Sequence, residues 1–359
     1  MKIGIITFHW GANYGGVLQA FALQEVLKKL GADVEVINYV PRTYRDSFLR
    51  CFWTIRPARV FQHLKDYFKN KNIEKFRKNF LSTTRRYLSL QDLQKESPKF
   101  DVYISGSDQV WNPYILNSYG MPYFLPFGDN SVKRISYAIS FACLIYPSNA
   151  MSKIKPYLKA FNAISVRENS GINILKGAGI EDAKLMPDPT LLLETKDLEK
   201  IMTCKAKQTK DYVFFYVLHS NQKLMYKIYK YISDTKKKNV INTEALKFCT
   251  MGIDRWLQNL RDSNFVITNS FHGVIFSMLF RKQFVVIPVE GRFEDMNDRI
   301  YTLLEKFGLK DRVFNDFDSV KLFQIIDKPI DWVSVSKRQK EMQKEAFDYF
   351  DENIFNVKK

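Results

Sequence analysis

The stretch NFVITNSFHGVIFSMLFRKQFVVIPV, residues 264–289, decides the fold. NFVIT (264–268) is a short apolar run of the kind a buried strand uses. Asn269 and Ser270 break it, and both are good helix N-caps. Residues 271–280 then turn helical, and FVVIPV (284–289) is again a buried strand. Strand, helix and strand in so short a span make a parallel βαβ unit, because only a crossover helix returns the chain in the same direction.

The same alternation extends outward. In the first half, IGIITF (3–8), VEVINY (34–39), FDVYISG (100–106), RISYAIS (134–140) and AISVR (163–167) read as strands. Helical patterns at 14–30, 152–161 and 168–177 lie between them. In KLMPDPTLLLE (184–194), two prolines flank Asp188 and bias their predecessors away from helix, so the interdomain connection is placed there. A second series follows, with YVFFYVL (212–218), NVINT (239–243) and helices at 223–236 and 254–262, before residues 264–289. A terminal helix is expected over 333–355. The fold class is therefore α/β: two Rossmann-like domains, residues 1–190 and 191–359, facing across a cleft, with a C-terminal helix in the second.

Composition narrows the function. At 359 residues, 46% hydrophobic, the chain can bury a sizeable core, which excludes a disordered protein. Cys51, Cys143, Cys204 and Cys249 are scattered, so no metal site is expected and the thiols are read as free and buried. No signal peptide is read in the opening residues. No apolar stretch reaches the roughly 20 residues that cross a bilayer. The formal charge of +17 is concentrated: residues 42–87 hold thirteen Lys and Arg against Asp46, Asp66 and Glu74, interleaved with aromatic residues. This basic helical insertion fits either a solvated face or an anionic membrane surface, and nucleic acid is set aside.

In parallel sheets, sites form beyond the carboxyl ends of strands. Four such junctions are polar here. HWGANYGG (9–16) has Gly11, Gly15 and Gly16, which allow a tight turn and close ligand approach. In SGSDQVWNP (105–113), Ser107 or Asp108 can cap a helix beginning at Gln109, and Asp108 can also take a proton from a hydroxyl. Arg167, ending an apolar strand beside Glu168, forms either an ion pair or a fork for a carboxylate or phosphate. In NSFHG (269–273), Asn269 or Ser270 caps a helix whose first turn holds His272. There an imidazole could relay a proton beside an anion, the alternative being a core histidine. Downstream, GRFEDMNDRI (291–300) adds Arg292, Asn297 and Arg299.

The chain resembles the polysaccharide pyruvyl transferase family. The resemblance is carried in order by ITFHWGANYGGVLQAFALQ (6–24), DVYISGSDQVWNP (101–113), ISYAISF (135–141), AISVRE (163–168), MPDPTLLL (186–193), VITNSFHGVIFSMLF (266–280) and NDRIYTLLEKFGL (297–309). It implies a GT-B-like enzyme that moves the pyruvyl group of phosphoenolpyruvate onto two hydroxyls of one sugar, with no cofactor. The family histidine falls on His272 and its strand-end arginine on Arg167. Where some relatives carry an Arg two places before the histidine, this chain has Ser270. Arg299 or Arg292 then supplies the missing cation. Phosphoenolpyruvate is thus expected on Arg167, Asn269, Ser270, Arg299 and Arg292, with His272 relaying protons and Asp108 deprotonating the acceptor. On the acceptor side the expected residues are His9, Asn13, Tyr14, Gly15, Gln109 and Trp111, from the junctions 9–16 and 105–113. The expected acceptor is a lipid-linked saccharide of a capsular or exopolysaccharide repeat unit. Its expected place is the inner face of the plasma membrane, met by a cytoplasmic, peripheral enzyme. A nucleotide-sugar glycosyltransferase and a non-catalytic basic membrane module remain the rival readings.

Overall fold

The computed structural model describes residues 1–42, 57–203, 211–218, 222–236, 239–242, 251–315 and 318–356. They form two compact units, Met1–Leu193 with Glu341–Lys359, and Glu194–Lys340. Residues 43–56 of the basic insertion, Thr243, Cys204 and Cys249 lie outside the described residues; Cys143 is buried and in no disulfide.

The first unit is built on strands β1 (Lys2–Ile6), β2 (Asp33–Val36), β3 (Val102–Ser105) and β4 (Lys133–Ser136). They pair in the order β2-β1-β3-β4, all parallel. β5 (Ser165–Val166) pairs with β6 (Lys184–Leu185), and single bridges from Ile135 to Ala163 and Ile139 to Val166 join this pair to the β4 side. Ile3, Ile5 and Ile6 of the central β1 are fully buried, as their unbroken apolar run requires. Helix Tyr14–Lys29 is started by Asn13, whose Oδ1 accepts from the Gly16 amide at 3.2 Å. It is buried on nearly every face, which accounts for an apolar sequence without an amphipathic stripe.

Among the described residues of the insertion there is one helix, Pro57–Phe80, and beyond it Thr83 and Tyr87 bridge to Val36 at the end of β2 and to Tyr39 just past it. Phe76 packs on Phe21 with ring centroids 5.7 Å apart, so part of the aromatic content is core.

The second unit has β7 (Tyr212–Tyr216), β8 (Asn239–Asn242), β9 (Phe265–Thr268) and β10 (Gln283–Val286), in the parallel order β10-β9-β7-β8. Helix Phe271–Leu279 runs from β9 toward β10, as the opening stretch predicts. Gly273, in its first turn, lies against the strand end: a Cβ there would stand 2.3 Å from Thr268 Oγ1, so the approach requires glycine.

The terminal helix Trp332–Phe350 corrects the expected domain assignment. From Glu341 on it belongs to the first unit. Ala346, Tyr349, Phe350 and Ile354 enter the core formed by Ile3, Ile5 and Leu23. The Phe350 ring lies 4.5 Å from that of Tyr137, and Tyr349 donates to the Ser136 carbonyl at 2.9 Å. Burial of these apolar faces decides the placement, and a chain-order domain boundary could not foresee it.

Candidate functional site

In each unit the strand order reverses beside one strand, and a ligand crevice is expected at that switch point. In the first unit it lies between β1 and β3, where the loops 9–16 and 105–113 meet. Gln19 ties them together: its amide donates to Thr7 Oγ1 at 2.8 Å and to the Gly16 carbonyl at 2.8 Å, and its oxygen accepts from the Ser107 amide at 3.1 Å. Gln19 was missed from sequence, although a fully buried amide in so apolar a helix is the signal.

Arg167 does not present an anion fork. Its side chain is 1% exposed and donates to Asp188 at 2.7 Å and Asp108 at 3.1 Å, with Glu168 at 3.8 Å. Burial by itself would lower its pKa, and the carboxylates of Asp108, Asp188 and Glu168 reverse that, so it is raised. Its positive charge is spent on these three groups. Asp188, expected only as punctuation between domains, accepts from Thr190 Oγ1 at 2.6 Å and from Ser107 Oγ at 3.2 Å. Glu168 accepts from the Phe141 amide at 2.8 Å. Among the described residues there is no group of three His, Cys, Asp or Glu suited to a metal ion.

Asp108 begins no helix. The helical turn starts at Pro113, capped by Asn112, and Asp108 instead has a φ of 68°, in the left-handed region that aspartate tolerates. One carboxylate oxygen takes the Arg167 bond and the Gln109 amide at 2.8 Å. The other lies beside Gly16, where a Cβ would stand 3.2 Å from it. Together with Trp10, Gly11, Asn13 and Tyr119 they line a cavity of about 160 Å³. A carboxylate fixed on one side and open on the other can receive a hydroxyl proton.

The acceptor-side expectations divide. Asn13 caps its helix and lines that small cavity. Gln109 is partly exposed beside Asp108. Tyr14 and Gly15 are buried in the first helical turn, with Lys69 Nζ 4.7 Å from the Tyr14 ring centre. Trp111 is not a ligand platform: it is fully buried, stacked on Phe124 at 5.1 Å, and donates to the Tyr123 carbonyl at 3.1 Å.

His9 lines a second, larger cavity of about 630 Å³ between the ends of β1 and β2 and helix Pro57–Phe80. Its Nδ1 lies 3.1 Å from the Thr7 carbonyl oxygen and its Nε2 3.1 Å from Asn38 Oδ1. Burial pushes its pKa below 6.5, the hydrogen bonds to Asn38 and Thr7 partly opposing. A ring that stays neutral when folded and takes a proton when unfolded contributes stability above pH 6.5 that is lost as pH falls below it. Comparing denaturant curves of wild type and His9→Gln, the wild type is expected to lose up to about 1.4 kcal/mol more per pH unit below that point. Parallel curves would remove this role. Arg77 holds the same loop from the other side, donating to the Gly11 carbonyl at 2.7 Å and to Glu74 at 2.7 Å.

In the second unit the switch point lies between β7 and β9. Asn269 braces it: its Oδ1 accepts from the Leu218 amide at 2.6 Å and its amide nitrogen donates to the Leu218 carbonyl, so the side chain is not displayed to an anion. Ser270 caps helix Phe271–Leu279 as expected, accepting from the Gly273 amide at 3.3 Å. His272 sits in the first turn, 6% exposed, its ring edge-on to Phe271 at 5.4 Å. Arg299 lies over the same Phe271 ring, its Cζ 5.9 Å from the centroid, and donates to the Met296 carbonyl at 3.1 Å. Arg292 is exposed and stacks on Phe293 at 4.4 Å. Asn297 clamps Val289 as Asn269 clamps Leu218, at 3.0 and 2.8 Å. The unit thus gathers His272, Ser270 and Arg299 at one strand end, with Asn269 as support.

Two parallel α/β units with polar switch points define an α/β protein of the GT-B-like class. A family model described as polysaccharide pyruvyl transferase matches residues 13–291, most of the chain, and the protein belongs to that transferase family. Among solved structures, the UDP co-structure of MnaA from S. aureus is 10% identical, with a TM-score of 0.53 over 100% of this chain and 98% of that one. The UDP-GlcNAc 2-epimerase from Methanocaldococcus jannaschii is 11% identical with a TM-score of 0.48, over 97% of this chain and 100% of that one. The glycosyltransferase SsfS6 from Streptomyces sp. SF2575 is 11% identical with a TM-score of 0.40, over 97% and 96%. At such identity the likeness to the S. aureus protein is one of fold alone. No curated protein matches the chain.

Proposed function

We propose that this transferase is a ketal pyruvyl transferase. It moves the pyruvyl group of phosphoenolpyruvate onto two hydroxyls of one sugar in a lipid-linked capsular or exopolysaccharide repeat unit and releases phosphate. The observation that carries this reading is His272 in the first turn of a capped helix, at the switch point of the second unit, within the region matched by the family.

The chemistry assigns the groups. His272 delivers a proton to the methylene carbon of phosphoenolpyruvate as positive charge develops at the carbon bearing phosphate. A sugar hydroxyl forms the first C–O bond there, and Asp108 takes its proton. The phosphate C–O bond then breaks, and the second hydroxyl closes the ring, its proton leaving with phosphate or base. The Phe271–Leu279 helix end, Ser270 and the cations Arg299 and Arg292 favour the anionic donor. Arg167 enters as the group that orients Asp108, not as a donor ligand. The lipid-linked acceptor at the inner face of the plasma membrane is supported by the basic helix Pro57–Phe80, and no helix among the described residues is long and apolar enough to cross a membrane.

Incubation with phosphoenolpyruvate and a panel of lipid-linked saccharides, with phosphate and product mass as readouts, tests the reading. Phosphate is expected only with the matching acceptor, which gains a pyruvyl ketal. Sugar transfer from a nucleotide sugar without use of phosphoenolpyruvate would establish the rival glycosyltransferase.

A further inference from the structure

The 630 Å³ cavity of the first unit has a division of chemistry along its walls that the family match does not assign. Its floor is neutral and hydrogen-bonding: the buried His9 and the half-buried Asn38. Trp10 and Tyr67 contribute aromatic surface, of the kind against which sugar C–H faces pack. The rim carries Lys71, Lys78 and Arg86, all exposed, and none of the three is ion-paired with a described residue. The one acidic lining residue, Glu74, is paired with Arg77 at 2.7 Å. The pocket therefore presents a net positive rim above a sugar-compatible floor. Its volume lies within the range that drug-sized ligands fill, about 300–1,000 Å³, and exceeds what a three-carbon phosphorylated acid occupies.

We propose that this pocket is an acceptor subsite that recognises a phosphate or diphosphate attached to the saccharide. Lys71, Lys78 and Arg86 hold the phosphate, while Trp10, Tyr67 and Asn38 receive the adjoining sugar. The proposal rests on the ketal pyruvyl transferase reading for the word acceptor; the anion chemistry stands without it. Phosphoenolpyruvate is the other source of a phosphate, and the test separates the two.

The full chain and the double variant Lys78→Glu, Arg86→Glu are titrated by calorimetry with a soluble alkyl-diphosphate-linked monosaccharide and, separately, with phosphoenolpyruvate, at low and moderate salt. Both substituted side chains are exposed, so the melting temperature is expected to hold. Should the double variant fail to fold, Lys71→Gln and Arg86→Gln carry the same comparison. The saccharide diphosphate is expected to bind about tenfold more weakly to the variant, the loss shrinking with salt, with phosphoenolpyruvate affinity unchanged. An equal loss for phosphoenolpyruvate would give the pocket to the donor and overturn the proposal, as would unchanged saccharide affinity. If wild type shows no turnover of phosphoenolpyruvate while the saccharide affinity still falls, the enzymatic reading fails and the subsite stands. Normal turnover with no loss of affinity removes the subsite alone.

Discussion

His272→Gln and His272→Ala are expected to lower ketal formation by about a hundred- to ten-thousand-fold, the range of a lost general acid–base group, with the fold retained. The ring is buried at the start of a helix capped by Ser270, beside Phe271 and the Arg299 guanidinium that lies 5.9 Å from that aromatic ring. An anion attracted to this helix end brings its reacting carbon to a group that can hand over a proton. Glutamine keeps most of the volume and a polar tip but cannot exchange a proton, so it separates chemistry from packing. Single-turnover phosphate release and a melting curve are measured on each variant. Near-normal turnover at an unchanged melting temperature would end the proton-relay role. Unfolding of both variants would make His272 a core histidine.

Replacing Arg167 with alanine is expected to cost about 3–5 kcal/mol of folding stability, the usual cost of removing one partner from a buried charge group. The guanidinium is 1% exposed and bridges Asp188 at 2.7 Å and Asp108 at 3.1 Å, with Glu168 at 3.8 Å. Without it, these carboxylates repel one another with little water to screen them. Arg167→Lys is expected to recover only part of the loss, because a point charge cannot fork between two carboxylates. Adding Asp188→Asn to Arg167→Ala should restore some stability by removing one unpaired charge. Urea denaturation of the three variants gives the comparison. A loss for Arg167→Ala within about 0.5 kcal/mol, the level of an ordinary surface change, would show that the network is not buried as described.

Much of the fold was legible locally. Alternation of apolar runs with helical patterns reports which faces must leave water, and that is a property of neighbouring residues. It located β1, β3, β7 and β9, and the helix after β9 with its Ser270 cap. The terminal helix was also visible, but not its partner. Tyr349 and Phe350 read as apolar helix positions, and only the packed core shows them against Ile3 and Ile5 of the first unit.

For the site, sequence determined the candidates and tertiary structure decided their duties. The strand-end position of Arg167 was evident, yet its partners Asp108 and Asp188 lie 59 and 21 residues away. They become neighbours through strand order, which periodicity does not encode. For the same reason Trp111, polar-tipped in a loop, became a core ring stacked on Phe124, and Asn269 became a clamp on Leu218, 51 residues distant. The basic insertion shows the same physics. Its charge and aromatic content were countable along the chain, but only the folded unit turns Arg77 inward onto the loop 9–11 and leaves Lys71, Lys78 and Arg86 around a cavity. A residue's chemistry is local, whereas its solvation and its partners are set by which strands lie side by side.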